Sequence, residues 1–186
     1  HFPDNQTGIV QTYVVSLVVT NREGCVDSVS QSIVINSRPV ANFGLDANAC
    51  GPAVIYPSDS SSGLSLNYNW AVAPTSGVVV SGSNSSTPQF SFSSPTQDSI
   101  VYSIFLQLTD ANGCIDTFRR SISIYPKPLA GFTPSNVDSC GPLMVHFANV
   151  SQSKLTGQTR ATMQFDWTFG NGQASNDSTP VVTFTN

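Results

Sequence analysis

A segment of 31 residues occurs twice in this chain. Residues 13–43 read YVVSLVVTNREGCVDSVSQSIVINSRPVANF, and residues 102–132 read YSIFLQLTDANGCIDTFRRSISIYPKPLAGF. Aligned at an offset of 89 positions, the two segments are identical at twelve positions. A period of this length is too long for one turn of a solenoid and fits one small domain. The sequence therefore predicts a tandem array of related domains.

Each copy of this segment has the pattern of a β-hairpin. In the first copy, apolar residues alternate along 13–19 and return along 26–35, on either side of a turn at 21–24. A period of two is typical of strands. A short extended link with a proline, Arg38-Pro39 or Lys127-Pro128, follows each hairpin and marks a predicted domain boundary.

The two links divide the chain into three repeats. Residues 1–37 are predicted to be the C-terminal half of a domain, residues 41–126 a complete domain, and residues 130–186 the N-terminal part of a third. We call them the first, middle and third repeats. Because the chain starts at His1 in the middle of this pattern, we expect it to be an excerpt from a longer protein.

The middle repeat has seven candidate strands, at 41–46, 52–57, 66–73, 77–81, 87–92, 100–109 and 115–125. Short strands separated by turn signals at this spacing predict an all-β fold of antiparallel sandwiches. Trp70 lies on the apolar face of its strand, and Trp167 occupies the corresponding place in the third repeat, so both are predicted core residues. The third repeat carries about seven extra residues, which we assign to a loop at 151–163.

Composition excludes several functions. A net charge of −4, a pI near 4.7 and seven scattered basic residues argue against a nucleic-acid partner. No apolar run reaches the length of a membrane span, so no membrane insertion is expected. His146 alternates with apolar neighbours and should face solvent, and no catalytic or cofactor motif surrounds it. We expect no enzyme activity and no cofactor, and the polar, weakly charged surface favours an extracellular location.

The third repeat resembles a PKD-type immunoglobulin-like domain. The resemblance rests on the sequence CGPLMVHFANVSQS and on FDWTFGNG, which follows it. Residues that match the family pattern are Phe147, Asn149, Ser151, Trp167, Phe169, Gly170 and Gly172. Thr168 and Asn171 replace the two aspartates of the family, and the middle repeat keeps only Trp70 of this motif. The resemblance implies tandem PKD-like β-sandwiches.

The Gly-Cys-x-Asp turn and the Cys-Gly-Pro strand start resemble the repeats of giant Bacteroidetes surface adhesins, a group that includes gliding-motility adhesins exported by the type IX system. This resemblance implies a structural stalk segment of a cell-surface filament, used in gliding motility or attachment. Its partners would be neighbouring repeats of the same chain, with surface polysaccharide or outer-membrane and secretion machinery reached through other parts of the protein.

Two other arrangements are consistent with the sequence. The chain could be a carbohydrate- or protein-binding module of a secreted multidomain protein, in which the loop 151–163, with Lys154 and Arg160, contacts an acidic polysaccharide. Alternatively, residues 1–37 and 130–186 of neighbouring chains could complete each other head to tail, because together they make about one domain.

The implied immunoglobulin-like topology bears on the four cysteines. Cys50 follows the first strand and Cys114 precedes the last, which runs in the same direction, so they should lie ~30 Å apart. They should therefore not bond within one domain. Because neighbouring domains of a tandem array abut end to end, the first-strand cysteine of one repeat is predicted to bond the turn cysteine of the next. All four (Cys25, Cys50, Cys114, Cys140) become candidates for inter-domain disulfides, unless they are free or paired in another way.

Two further sets of residues are weaker candidates. Asp110, Asn112 and Asp116 are spaced like calcium ligands, although an ordinary Asn-Gly hairpin turn explains the same residues. Ser28 and Ser99 follow aspartates in a pattern that resembles the O-glycosylation signal of Bacteroidetes, although they are also ordinary strand-edge serines.

Overall fold

The computed structural model describes residues 5, 9–135, 137–138, 140–159 and 162–185. Most of these residues lie in strands and turns, which confirms the predicted all-β class. The strands are β1 (Gln11–Thr20), β2 (Val26–Ile35), β3 (Phe43–Gly44), β4 (Asn48–Cys50), β5 (Ala53–Ile55), β6 (Ser58–Asp59), β7 (Asn67–Ala73), β8 (Val78–Ser81), β9 (Gln89–Phe92), β10 (Ile100–Thr109), β11 (Ile115–Tyr125), β12 (Phe132–Pro134), β13 (Leu143–Asn149), β14 (Trp167–Thr168), β15 (Ala174–Ser175) and β16 (Val181–Phe184).

The middle repeat is built from three sheets, with strand orders β4-β11-β10-β7, β5-β9-β8 and β3-β6. In the first of these, β10 and β7 are antiparallel, with Leu106 opposite Trp70. The Trp70 ring packs edge-on against Phe43 of β3 and Phe90 of β9, with ring centroids 4.9 and 6.3 Å away. These contacts join the sheets face to face, as the alternation of apolar residues predicts for a sandwich.

Residues 48–50 lie between the predicted strands at 41–46 and 52–57, and they form a strand that was not predicted, β4. This strand pairs in parallel with the end of β11, where Cys50 lies opposite Tyr125. A Cβ atom at Gly51 would lie 2.7 Å from the Cα of Ser94, so only glycine permits this close approach. Asp, Asn and Gly indicate a turn locally, but pairing with a strand distant in sequence overrides that preference.

The first repeat is a regular antiparallel hairpin of β1 and β2, in which Tyr13 lies opposite Ile33 and Leu17 opposite Val29. At the turn, Gly24 adopts a φ of +84° and its N–H donates to the carbonyl of Asn21 at 3.0 Å. The hairpin was predicted from alternation alone, and the pairing register confirms it.

The third repeat contains the sheet β12-β13-β16 and the pair β14-β15. Its centre is a group of four rings (Phe132, Phe147, Trp167, Phe169), in which neighbouring centroids lie 5.3 to 6.2 Å apart. Two residues of the PKD-like motif, Asn149 and Ser151, connect the end of β13 to the start of the third repeat. The side chain of Asn149 accepts the Ser151 N–H at 2.9 Å, and the Ser151 hydroxyl accepts the Gly131 N–H at 3.1 Å.

Asp59 and Ser61 have the same roles in the middle repeat. The Asp59 carboxylate accepts the Ser61 N–H at 3.1 Å, and the Ser61 hydroxyl accepts the Asn42 N–H at 3.1 Å. Asp59 also accepts the hydroxyl of Tyr68 at 2.8 Å. Burial, helped by this bond and by the carboxylate charge, raises the pKa of Tyr68 to about 12. The phenol therefore stays protonated and keeps donating well above neutral pH.

The chain divides into two compact units. The first unit comprises residues 1–47, 54–91 and 102–122, and the second comprises residues 48–53, 92–101 and 123–186. The predicted domain boundaries at the two proline links stay a prediction.

Candidate functional site at the repeat junctions

The turn before β11 is organised by the buried carboxylate of Asp110. Its Oδ1 accepts the backbone N–H groups of Asn112 and Cys114, both at 2.9 Å. Gly113 has a φ of +79°, whereas Asn112 does not adopt a positive φ. Asn21 accepts the Cys25 N–H at 2.8 Å in the first repeat. The Asp110 carboxylate therefore closes the turn of the middle repeat, and the neutral amide of Asn21 closes the corresponding turn of the first repeat.

Asp116, the second acidic residue of the calcium hypothesis, contacts the first residue of the middle repeat. Its Oδ2 accepts the backbone N–H of Ala41 at 2.8 Å. Within the described part of the chain, no group of three or more His, Cys, Asp or Glu side chains is arranged to hold a metal ion. Calcium binding by Asp110, Asn112 and Asp116 stays a prediction, and both carboxylates have structural contacts that account for them.

The link between the first and middle repeats is held through Arg38. The Arg38 guanidinium donates to the carbonyl of Ile115 at 2.9 Å, and its backbone N–H donates to the carbonyl of Asn5 at 2.9 Å. Asn5 is itself buried, and its side-chain amide donates to the carbonyl of Ile35 at 3.0 Å. The link is therefore tied both to the hairpin before it and to β11 after it.

Sequence reasoning treated Arg38 only as a residue of a spacer, and its contact was missed. One signal was available: a basic residue precedes the proline in both links, as Arg38-Pro39 and Lys127-Pro128. The acceptor could not be foreseen, because Ile115 lies 77 positions further along the chain.

The link between the middle and third repeats is accompanied by a second set of contacts, centred on Asp98. The Asp98 carboxylate accepts the Thr156 N–H at 2.6 Å and the Thr156 hydroxyl at 2.8 Å. The Asp98 N–H donates to the carbonyl of Lys154 at 3.0 Å. Both Asp98 and Lys154 have positive φ values, so these loops take a specific backbone conformation where they meet.

These contacts give the long loop of the third repeat a role that was not expected. Sequence reasoning offered 151–163 as a binding loop, whereas residues 154–156 contact the Asp98 loop. The side chain of Lys154 is exposed, and Arg160 lies outside the described residues. A polysaccharide contact at this pair stays a prediction.

The Asp98 contacts should respond to acid. The Thr156 N–H, and then its hydroxyl, lower the pKa of Asp98 below its ordinary value, against a small opposing effect of lost hydration. A carboxylate whose pKa is lowered on folding stabilises the contact at pH values above its unfolded-state pKa. This stabilisation is lost as the pH falls through the folded-state pKa. We expect the Thr156 amide resonance to titrate with a midpoint below that of an ordinary aspartate, as followed by NMR.

The Asp98→Asn variant is the control, because it should remove this titration while leaving the Thr156 N–H an oxygen acceptor. A Thr156 midpoint at or above the ordinary aspartate value would contradict the contact.

The four cysteines are free in the structure, with Cys114 half-buried and the other three exposed. Parallel pairing of β4 and β11 puts Cys50 beside the last residue of β11, whereas Cys114 directly precedes its first residue. The eleven residues of β11 span roughly 35 Å. β4 and β11 thus run in the same direction, as the disulfide prediction assumed. The inter-domain disulfides themselves stay a prediction.

The remaining candidate residues are placed as follows. Trp70 is buried and its indole N–H donates to the carbonyl of Ser85 at 2.9 Å, whereas Trp167 is only half-buried and donates to Asp177 at 2.9 Å. His146, on β13, is exposed, as its alternation predicted. Ser28 and Ser99 are exposed, so both are accessible, and their O-glycosylation stays a prediction.

The third repeat also has an open groove lined by aromatic residues. Phe132, Phe165 and Trp167 lie along a cavity of about 440 Å³. Such a surface can bind carbohydrate. However, Phe132 and Trp167 occupy the sequence positions of Phe43 and Trp70, which are core residues of the middle repeat. The groove is therefore the uncovered core of a sandwich.

No protein-family model and no curated protein matches the chain. Among solved structures it is similar to a nucleoside hydrolase-related hypothetical protein from Saccharophagus degradans that is associated with carbohydrate metabolism, with 21% identity, a TM-score of 0.38, and coverage of 50% of this chain and 26% of that one. Extracellular cadherin domains 3–6 of protocadherin gamma B2 match with 12% identity, a TM-score of 0.35, and coverage of 94% and 49%.

Extracellular cadherin domains 1–4 of protocadherin gamma B7 match with 11% identity and a TM-score of 0.33, over 95% of this chain and 58% of theirs. The chain thus spans between 26% and 58% of the length of these three structures. The described residues contain no helix of the length and hydrophobicity that a membrane span requires.

Proposed function

We propose that this chain is a structural stalk segment of a long extracellular filament or adhesin, in which the links between repeats are held in one geometry. The observation that carries the proposal is that side-chain hydrogen bonds tie the first proline link and join the repeats on either side of the second. Arg38 ties the first link to β11, Asp116 holds Ala41 directly after that link, and Asp98 of the middle repeat bonds Thr156 of the third. A flexible spacer needs none of these contacts.

Three features support a mechanical role. The links are short, each contains a proline that restricts the backbone, and a charged side chain bonds distant backbone at the first link (Arg38) and between the repeats that flank the second (Asp98). Predicted disulfides between neighbouring repeats would add covalent restraint at the same junctions. The resemblance to PKD-type repeats of Bacteroidetes surface adhesins, such as the gliding-motility adhesin SprB, suggests cell-surface attachment or gliding as the setting, with export by the type IX system.

The alternative, a carbohydrate- or protein-binding module, has less support. Its two candidate surfaces are the loop 151–163 and the aromatic groove. Thr156 of the loop is bonded to Asp98, and Phe132 and Trp167 of the groove correspond to Phe43 and Trp70, which are core residues of the middle repeat. We therefore retain the stalk as the proposed function.

The test measures whether the first link is rigid. We expect the amides of β1–β2 and of β7, β10 and β11 to share one rotational correlation time in ¹⁵N relaxation experiments. The Arg38→Ala variant should shorten the value for the hairpin, because it removes a hydrogen bond worth about 1 kcal/mol. Arg22→Ala, in the hairpin turn, is the matched control and should change nothing. Independent tumbling of the hairpin in the unmodified chain would overturn the proposal.

A further inference from the structure

The dipeptide Asn-Gly occurs twice in this chain, at 112–113 and at 171–172. In each pair the glycine N–H donates to the carbonyl three positions earlier, at 3.1 Å for Gly113 and at 3.0 Å for Gly172. Both glycines adopt a positive φ, +79° and +83°, and both asparagines are exposed. The two turns are therefore matched in backbone geometry and in access to water.

The two asparagine side chains differ in how they are held. The side-chain amide of Asn171 donates to Oε1 of Gln173 at 3.1 Å and to the carbonyl of Thr183 at 3.4 Å. Its Oδ1 accepts the Gln173 N–H at 3.1 Å. The backbone N–H of Asn112 donates to Asp110, but no described residue forms a hydrogen bond with the Asn112 side chain. Hydrogen bonds therefore fix the side chain of Asn171 and leave that of Asn112 free to rotate.

An asparagine that precedes glycine can react with its own backbone, because no side chain hinders the glycine nitrogen. The nitrogen of Gly113 loses its proton to a solvent base and attacks Cγ of Asn112. A new C–N bond forms, the bond to the side-chain nitrogen breaks, and that nitrogen takes up a proton and leaves as ammonia. Water then opens the resulting succinimide ring. Attack at the side-chain carbonyl gives aspartate, and attack at the backbone carbonyl gives isoaspartate.

We infer that Asn112 is a site of spontaneous deamidation in the folded protein and that Asn171 is protected. The reaction requires the side chain to turn until Cγ faces the next backbone nitrogen. This rotation breaks no side-chain hydrogen bond at Asn112, whereas at Asn171 it breaks the bonds to Gln173 and Thr183. In both turns the glycine N–H must also leave its carbonyl by local opening, so that cost does not distinguish the two sites.

The isoaspartate product alters the turn that Asp110 closes. Its backbone contains one extra carbon directly after residue 112, between the two N–H groups that Asp110 Oδ1 accepts, those of Asn112 and Cys114. We expect the bond to Cys114 to be lost, because the longer backbone moves this N–H away from the carboxylate. The next residue is Ile115, whose carbonyl accepts the Arg38 guanidinium, so the altered turn adjoins the first link. The inference does not depend on the stalk proposal.

The aspartate product should leave the turn intact. At an offset of 89 positions, Glu23 of the first repeat corresponds to Asn112. It precedes Gly24, which has a φ of +84° and donates its N–H to the carbonyl of Asn21 at 3.0 Å. A turn of the same form therefore accepts a carboxylate at this position. Glutamate also has no side-chain amide to lose, so the first repeat has no equivalent reaction.

The test incubates the 186-residue chain at mildly alkaline pH and follows both sites by peptide mapping with mass spectrometry. We expect Asn112 to convert about tenfold faster than Asn171, because the hydrogen bonds of the Asn171 side chain must break first. In urea the two sites should convert at similar rates, because both precede glycine and the fold no longer distinguishes them. Equal rates in the folded chain, or a faster reaction at Asn171, would overturn the inference.

Asn112→Asp is the matched control for the altered turn, because it carries the new charge without the extra backbone carbon. Its Cys114 amide resonance should stay near that of the unmodified chain, whereas the incubated chain should gain a second, shifted Cys114 resonance from isoaspartate. Asn112→Gln should show neither the mass change nor the new resonance, because its longer side chain cyclises far more slowly. A deamidated chain whose Cys114 resonance matches that of Asn112→Asp throughout would contradict the altered turn.

Discussion

Replacing Leu106 by alanine is expected to destabilise the middle repeat by about 2–5 kcal/mol, the usual cost of truncating a fully buried leucine. Leu106 is enclosed between the sheets and lies opposite Trp70, so truncation leaves a cavity in a packed core. A domain of this size is stable by only about 5–15 kcal/mol, so the effect would be a large part of the total. Urea unfolding followed by circular dichroism, in dilute solution, measures it.

The matched control is Leu17→Ala, which changes the same position of the repeated segment. Because Leu17 is exposed, its truncation should alter the free energy of unfolding by no more than about 0.5 kcal/mol in dilute solution. Equal losses for the two variants would show that Leu17 is covered within the chain. That outcome would contradict the exposure of Leu17 in the structure.

Replacing Trp70 by alanine should be at least as damaging, with an expected loss of about 3–5 kcal/mol. Trp70 is 3% exposed, contacts Phe43 and Phe90, and donates its indole N–H to Ser85. The variant loses all of these contacts together and leaves the Ser85 carbonyl without this donor. Urea denaturation followed by circular dichroism gives the free energy, and the fluorescence of Trp167 reports separately on the third repeat.

Trp167→Ala is the natural comparison, since the two tryptophans occupy the same position in their repeats. Trp167 is half-buried, so its truncation should have a smaller effect, confined to the third repeat. If Trp167→Ala were as damaging as Trp70→Ala, the aromatic groove would be a covered core in the isolated chain. The predicted difference would then be wrong.

Much of the fold could be predicted from local pattern. The alternation in 13–19 and 26–35 predicted the first hairpin, and the repeated segment predicted the hairpin of β10 and β11. These predictions succeeded because side-chain alternation follows directly from the geometry of a strand. The strand at 48–50 was missed because its residues favour a turn and its pairing depends on β11, more than sixty residues away.

The candidate site was less accessible to sequence reasoning. Arg38, Asp98 and Asp116 all act on backbone groups that are distant in sequence, and no local motif names their partners. The loop 151–163 was assigned from the extra residues of the third repeat, and its role as an insertion stays a prediction. Its contact with Asp98 could not be derived, because the contact depends on how two loops meet in space.

The sequence by itself determined that the chain is a series of β-sandwich repeats, because turn residues and a period of two are written into each segment. The tertiary structure decided which copies of that pattern become core and which remain surface. Leu17 and Leu106 have the same local surroundings in sequence, but only Leu106 is covered by other strands. Burial is a property of the strands that pack on a residue, and these lie far along the chain.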